Sequence, residues 1–89
     1  MMILAVFRSR SQSLDYAERL RNHGIASTTV SAPKEVKIGC GLCVRFEERV
    51  FTRAQAILKI GNYSSFKGFY KIEFSNGYMQ ISPYQRTFS

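Results

Sequence analysis

Residues 2–7, MILAVF, form an unbroken apolar run of strand length near the start of the chain. Side chains alternate between the two faces of a strand, so a run that is apolar at every position must be covered on both sides. That requirement places Met2–Phe7 in the middle of a sheet and obliges the rest of an 89-residue chain to supply strands beside it and layers over it. The supply is sufficient. Hydrophobic residues make up 45% of the chain, with seven Phe and five Tyr, which suits a single folded domain over residues 1–89 and excludes a disordered chain.

A helix follows the first strand. Ser9-Arg10-Ser11-Gln12 has the spacing of a capping box, in which the Ser9 hydroxyl accepts the Gln12 N–H and the Gln12 side chain reaches back. Leu14, Ala17 and Leu20 then recur at helical spacing, with Asp15 and Glu18 early and Arg19, Arg21 and His23 late, in keeping with the helix dipole. Gly24 is placed to end the helix in a left-handed conformation. Residues 25–31, IASTTVS, are rich in β-branched side chains and bounded by Pro33, which predicts a strand near a sheet edge.

Residues 33–41 read as a connection, and residues 42–47 alternate: Leu42, Val44 and Phe46 on one face, Cys43, Arg45 and Glu47 on the other. A second helix is expected from about Glu48 to Ile60, with Val50, Phe51, Ala54, Ile57 and Leu58 as its apolar stripe and Gly61-Asn62 as its stop. Asn76-Gly77 between two alternating segments predicts a type I′ hairpin whose second strand covers residues 78–82.

The order is β-α-β-β-α-β plus one C-terminal strand. Its expected packing is an α+β fold of the ferredoxin-like, split β-α-β kind: an antiparallel sheet with two helices on one face. In that arrangement the connection before the third strand lies at the same end as the start of the first helix, close to Arg8, Arg10 and residues 62–65. The apolar first strand and the added hairpin suggest that the second sheet face is covered too, by the hairpin or by a second subunit. Tyr78, Met79 and Ile81 are then candidate contacts of a homodimer.

Thirteen Lys and Arg against six Asp and Glu give a net charge of +7, spread evenly along the chain without a polybasic run. Such a balance attracts acidic partners and permits nucleic-acid binding without requiring it. MMILAVF is too short to span a bilayer and lacks the basic start and cleavage site of an export signal, so neither a membrane nor a secretory route is expected. In the cytoplasm that this leaves as the default, the two cysteines would stay reduced.

Both cysteines sit in one stretch, GCGLC, at residues 39–43. Gly39 and Gly41 leave Cys40 without bulky neighbours, and Lys34, Lys37 and Arg45, together with Arg8 and Arg10, could favour an anionic sulfur. Cys43 stands three residues away, as a resolving thiol in a dithiol pair or as a small apolar residue. A structural zinc site needs four Cys or His ligands, and only His23 could join the cysteines, so no metal and no other cofactor are expected.

Residues 67–74, KGFYKIEF, share the Lys-Gly-Phe start of the RNA-contacting strand of an RNA-recognition motif. Lys71 stands where that motif has a second stacking aromatic, and the stretch follows the second helix instead of preceding it. An ordinary amphipathic strand, with Tyr70, Ile72 and Phe74 on one side, accounts for it better.

Several of these features together resemble the small selenium/sulfur carrier-like proteins of bacteria and archaea. They are the strand ending in Phe7, Ser9, the helix closing on Gly24-Ile25, Ala32-Pro33-Lys34-Glu35-Val36, Gly39-Cys40-Gly41-Leu42 and the strand ending Arg45-Phe46. The similarity covers about residues 3–73 and leaves the last strand outside. It implies a carrier more than an enzyme. Cys40 would receive a persulfide or selenopersulfide from a cysteine desulfurase-like donor and pass it to an acceptor protein. It also implies a small residue such as Ala at the position of Cys43, which makes Cys43 an addition to a one-cysteine pattern. From the residues alone, a binding or regulatory module with incidental cysteines and a Cys40/Cys43 redox switch stay open beside the carrier.

Overall fold

The elements run β1 (Met2–Phe7), α1 (Arg10–Asn22), β2 (Thr28–Ser31), β3 (Leu42–Glu47), α2 (Phe51–Gly61), β4 (Phe66–Ser75) and β5 (Tyr78–Pro83), with 3₁₀ turns at Lys34–Val36 and Glu48–Val50. The computed structural model describes residues 1–36 and 41–84; Lys37, Gly39 and Cys40 therefore lie outside the described residues. The strands form one sheet in the order β2-β3-β1-β4-β5, and every neighbouring pair is antiparallel. β3 lies between β1 and β2, and β1 between β3 and β4, so each helix connects two strands that are separated by a third. This is the split β-α-β order expected from the sequence, in a mixed α+β fold with β5 added outside β4.

β1 is central, and Ile3 through Phe7 are all fully buried. Ile3, Ala5 and Phe7 meet Tyr16, Ala17 and Leu20 of α1 and Phe51, Ala54 and Ile57 of α2 in one core, so both helices cover the same face. Leu4 and Val6 point the other way and cluster with Cys43 and Val36. Phe7 anchors the first core, with ring centroids 5.5 Å from Tyr16, 5.4 Å from Tyr63 and 5.4 Å from Phe66.

α1 begins as its cap predicts and departs from expectation in one bond. The Gln12 N–H donates to Ser9 Oγ at 3.2 Å. The Gln12 side chain does not return to Ser9: its Oε1 accepts from the N–H and the hydroxyl of Ser65, at 2.9 and 2.7 Å. Ser65 Oγ in turn accepts the Ser9 N–H at 3.1 Å. A partner 56 residues away thus takes the bond that local spacing assigned to Gln12. The helix ends in a Schellman motif. Gly24 has φ 76°, its N–H donates to Arg21 O, and the Ile25 N–H donates to Leu20 O.

The buried stripe of α1 is Ser13, Tyr16, Ala17 and Leu20, and Leu14 is exposed. The helix is rolled away from the expected stripe because Tyr16 brings more surface into the core and has a partner there for its polar end. Its hydroxyl donates to the Ala54 carbonyl at 2.7 Å. β2 starts at Thr28 and not at Ile25, since Ile25 is spent closing the helix and is itself buried. α2 opens with a 3₁₀ turn and closes on Asn62 in the left-handed conformation at φ 49°.

The hairpin forms at the predicted turn, with positive φ at both Asn76 and Gly77. β5 joins β4 edge to edge, from Ser75↔Tyr78 to Tyr70↔Pro83. It does not fold across the second face, which Val36 closes together with Val30, Ala32, Tyr70, Ile72 and Ile81. The pairing of β1 with β4 ends at Met2↔Ile72, so residues 73–80 pair only with one another and are exposed throughout.

Candidate functional site

The beginning of β3 meets the beginning of α1 through Ser13. This hydroxyl is fully buried and donates to the Leu42 carbonyl at 2.8 Å and to the Ser9 carbonyl at 3.3 Å. Gly41, also buried, accepts the Ala32 N–H at 3.1 Å. From the other side the Arg8 N–H donates to the Ser65 carbonyl at 3.0 Å, bringing in the segment that follows α2. The end of β1, the start of α1, the start of β3 and residues 62–65 therefore converge, as the split β-α-β order predicts.

Arg8 and Arg10 stand exposed at this end, at the positive pole of α1. Lys34, also exposed, begins the 3₁₀ turn that leads into the segment before β3. Gly39 and Cys40, like Lys37, belong to the part of that segment outside the described residues. Arg45 shares the second sheet face with Cys43 and is half-buried, but it lines a pocket with Met2 and Glu47, at the far end of the strand.

Cys43 is the thiol whose surroundings are described. It lies opposite Val6 on one side and Val30 on the other, is fully buried, and forms no disulfide. Burial pushes its pKa from 9.0 up to about 11, because the charged thiolate is the form that loses its hydration. To resolve a disulfide or accept a sulfur atom, Cys43 would first have to leave this position.

Next to the site, Asp15 accepts hydrogen bonds from Tyr63 Oη at 2.5 Å and from Arg19 Nε at 3.1 Å. Both hold the Asp15 carboxyl below its ordinary range, the Tyr63 bond most of all. Tyr63 also packs edge-on against Phe7 and Tyr16. It joins the polar rim of the site to the core.

Ser13, Ser65 and Tyr63 were not singled out in the sequence, although one of them had a signal. Ser13 occupies the i position of an i, i+3, i+4, i+7 pattern with Tyr16, Ala17 and Leu20, so a hydroxyl there is a buried one in need of a partner. Topology placed Ser65 and Tyr63 at this end only as part of residues 62–65; their individual partners, about fifty residues away, left no local signal. Among the described residues no group of three or more His, Cys, Asp or Glu is placed to hold a metal ion. None of their helices is long and apolar enough to cross a membrane.

In β4, Phe69 packs among Phe46, Phe51 and Phe66 beneath the helices, while Tyr70, Ile72 and Phe74 share the other face, as the amphipathic pattern predicts. The aromatic residue of the Lys-Gly-Phe sequence is thus partly buried and packed against the core.

A family model described as "Putative Se/S carrier protein-like" matches residues 2–71. The match runs from β1 into the middle of β4 and leaves β5 outside. No curated protein and no solved structure matches the chain.

Proposed function

Since the chain belongs to the putative Se/S carrier protein-like family, we propose that it carries a sulfur or selenium atom on Cys40 and hands it to an acceptor protein. The observation that supports this choice of residue is the burial of Cys43. The chain has two cysteines, and Cys43 is enclosed with its thiol held protonated at neutral pH. Cys40, between two glycines, is left as the thiol for transfer.

The reaction is an exchange at sulfur. The Cys40 thiolate attacks the terminal sulfur of a donor persulfide, forming the new S–S bond as the old one breaks. The donor leaves as a thiolate, so the total oxidation state is unchanged. Handing the atom on repeats the exchange with Cys40 as the leaving thiolate. A selenopersulfide follows the same course. A cysteine desulfurase-like enzyme fits as donor because it presents such a persulfide. The positive pole of α1, Arg8, Arg10 and Lys34 favour the anionic sulfur, and Lys37 adds charge in the same segment of sequence.

Intact-mass measurement after incubation with a cysteine desulfurase and cysteine tests the assignment. The reduced protein should gain mass in sulfur increments, as should Cys43→Ser, and Cys40→Ser should gain none. Loading that survives in Cys40→Ser overturns it. The burial of Cys43 also weighs against a Cys40/Cys43 switch, and the inward position of Phe69 weighs against an RNA-stacking surface.

We propose a second copy of the chain as a further partner, paired along β5. This strand forms a sheet edge and carries no charged residue over Tyr78–Pro83, so it lacks the protection that lysines usually give an edge. Two copies that each carry +7 can approach along an uncharged strand, whereas an acidic partner finds no cation on it. Phe74, Tyr78 and Met79, all exposed, lie beside the edge. Light scattering should report a dimer at high micromolar concentration and a monomer for Met79→Lys; a monomeric wild type refutes the pairing.

A further inference from the structure

Acids and unpaired cations are sorted between the two ends of the sheet. Of the six acids, Glu47, Glu48 and Glu73 gather around the start of β1. Met2 pairs with Glu47 on one side and with Ile72 on the other, and the Glu48 N–H donates to the Met1 carbonyl at 3.0 Å. Two ion pairs form there, Arg49 with Glu47 and Lys71 with Glu73. Asp15, in the second turn of α1, is held by Tyr63 and Arg19.

The opposite end, where the chain leads from Cys40 into β3, carries cations without such partners. Arg8 follows β1, Arg10 opens α1, Lys34 follows β2, Lys59 lies in the last turn of α2 and Lys67 is near the start of β4. All five are exposed, and none joins an ion pair among the described residues. The strand order sets Lys34 to one side of the start of β3 and Arg8 to the other. The pairing Phe7↔Phe66 brings Lys67 next to the end of β1, and Lys67 and Lys59 border one pocket. Glu35 is outnumbered in its own segment by Lys34 and Lys37. A molecule charged in this way draws an acidic partner towards one end of itself.

We propose that this end docks an acidic face of the protein that exchanges sulfur with Cys40; the partner's role rests on the carrier reading, whereas the surface does not. Two observations favour a protein over a nucleic acid. Ile60, beside Lys59, is 71% exposed; an apolar side chain among cations has a use in a protein interface and none against phosphates. The exposed rings that could stack on bases, Phe74 and Tyr78, lie on the hairpin at the other end.

NMR titration of the reduced, isotope-labelled full chain with poly-L-glutamate, at fixed ionic strength, tests the proposal. Saturable shifts are expected to concentrate in residues 8–12, 32–34 and 59–68. Affinity should fall tenfold or more in Arg8→Gln/Lys67→Gln. Arg21→Glu removes the same two units of charge from the last turn of α1, at the other end, and should change affinity less than twofold. Poly-uridylate at equal charge should bind no tighter. Absence of saturable shifts overturns the proposal, and so does an equal loss in Arg21→Glu, which would mean general attraction to a basic chain. Tenfold tighter binding of the RNA at these residues would overturn it in favour of a nucleic-acid surface. If Arg8→Gln/Lys67→Gln fails to fold by circular dichroism, Arg10→Gln/Lys59→Gln decides in its place. The titration involves no sulfur, so its failure and that of the carrier assignment, read by mass, are separate results.

Discussion

At neutral pH, Cys43 is expected to be alkylated about a hundredfold more slowly than an unperturbed cysteine, before any further slowing by steric shielding. The reacting species is the thiolate, and its population well below the pKa falls tenfold for each unit by which that pKa rises. A rise from 9.0 to about 11 sets the factor. Timed labelling of Cys40→Ser, read by intact mass, checks it; labelling at the rate of a free cysteine would show that the strand opens readily. The sign of the pH dependence follows. The thiol ionises near 9 in the unfolded chain and near 11 in the folded one, so its contribution to stability is complete below 9 and is lost as pH rises through about 11. Cys43→Ala should lack that part of the alkaline decline.

Phe7→Ala is expected to lower the unfolding free energy by about 3–5 kcal/mol, the usual cost of removing a fully buried aromatic side chain. The side chain is wholly enclosed and touches three other rings, from α1, from the segment after α2 and from β4. Its removal opens a cavity where these elements meet, which a shift of any one of them cannot fill. Against a typical total of about 5–15 kcal/mol, that loss consumes much of the stability. Urea unfolding followed by circular dichroism measures it; a loss below about 1 kcal/mol would mean that the core collapses around the gap.

Those features of the fold that rest on local chemistry were legible. The apolar run of β1, the alternation of β3, the Ser9 and Gly24 helix ends and the Asn76-Gly77 turn each state their conformation within a few residues. The departures all involve distant partners. Leu14 has the spacing for the core but loses its place to Tyr16, whose hydroxyl finds a carbonyl on the other helix. Gln12 is drawn to Ser65 from its own cap. At the site, the alternation of β3 puts Cys43 on the same side as the charged Arg45 and Glu47, and leaves open whether it is a resolving thiol or a small apolar residue. It is buried because Val36 and the flanking strands close that face, and no pattern within β3 conveys this. The convergence of Arg8, Arg10 and the start of β3 followed from topology.

Beyond Met2↔Ile72 the hairpin of β4 and β5 has lost its third strand, and residues 73–80 extend past the body of the sheet with solvent on both sides. A two-stranded ribbon of this kind is marginal by itself, so its hydrogen bonds should open well before those of the core, as a separate cooperative unit. Opening of the ribbon breaks none of the ladder pairs of β1, which end at Met2↔Ile72. The outer end of the hairpin thus shares no ladder hydrogen bond with the strands that carry the packing around Ser13 and Leu42, and its opening should leave that packing in place.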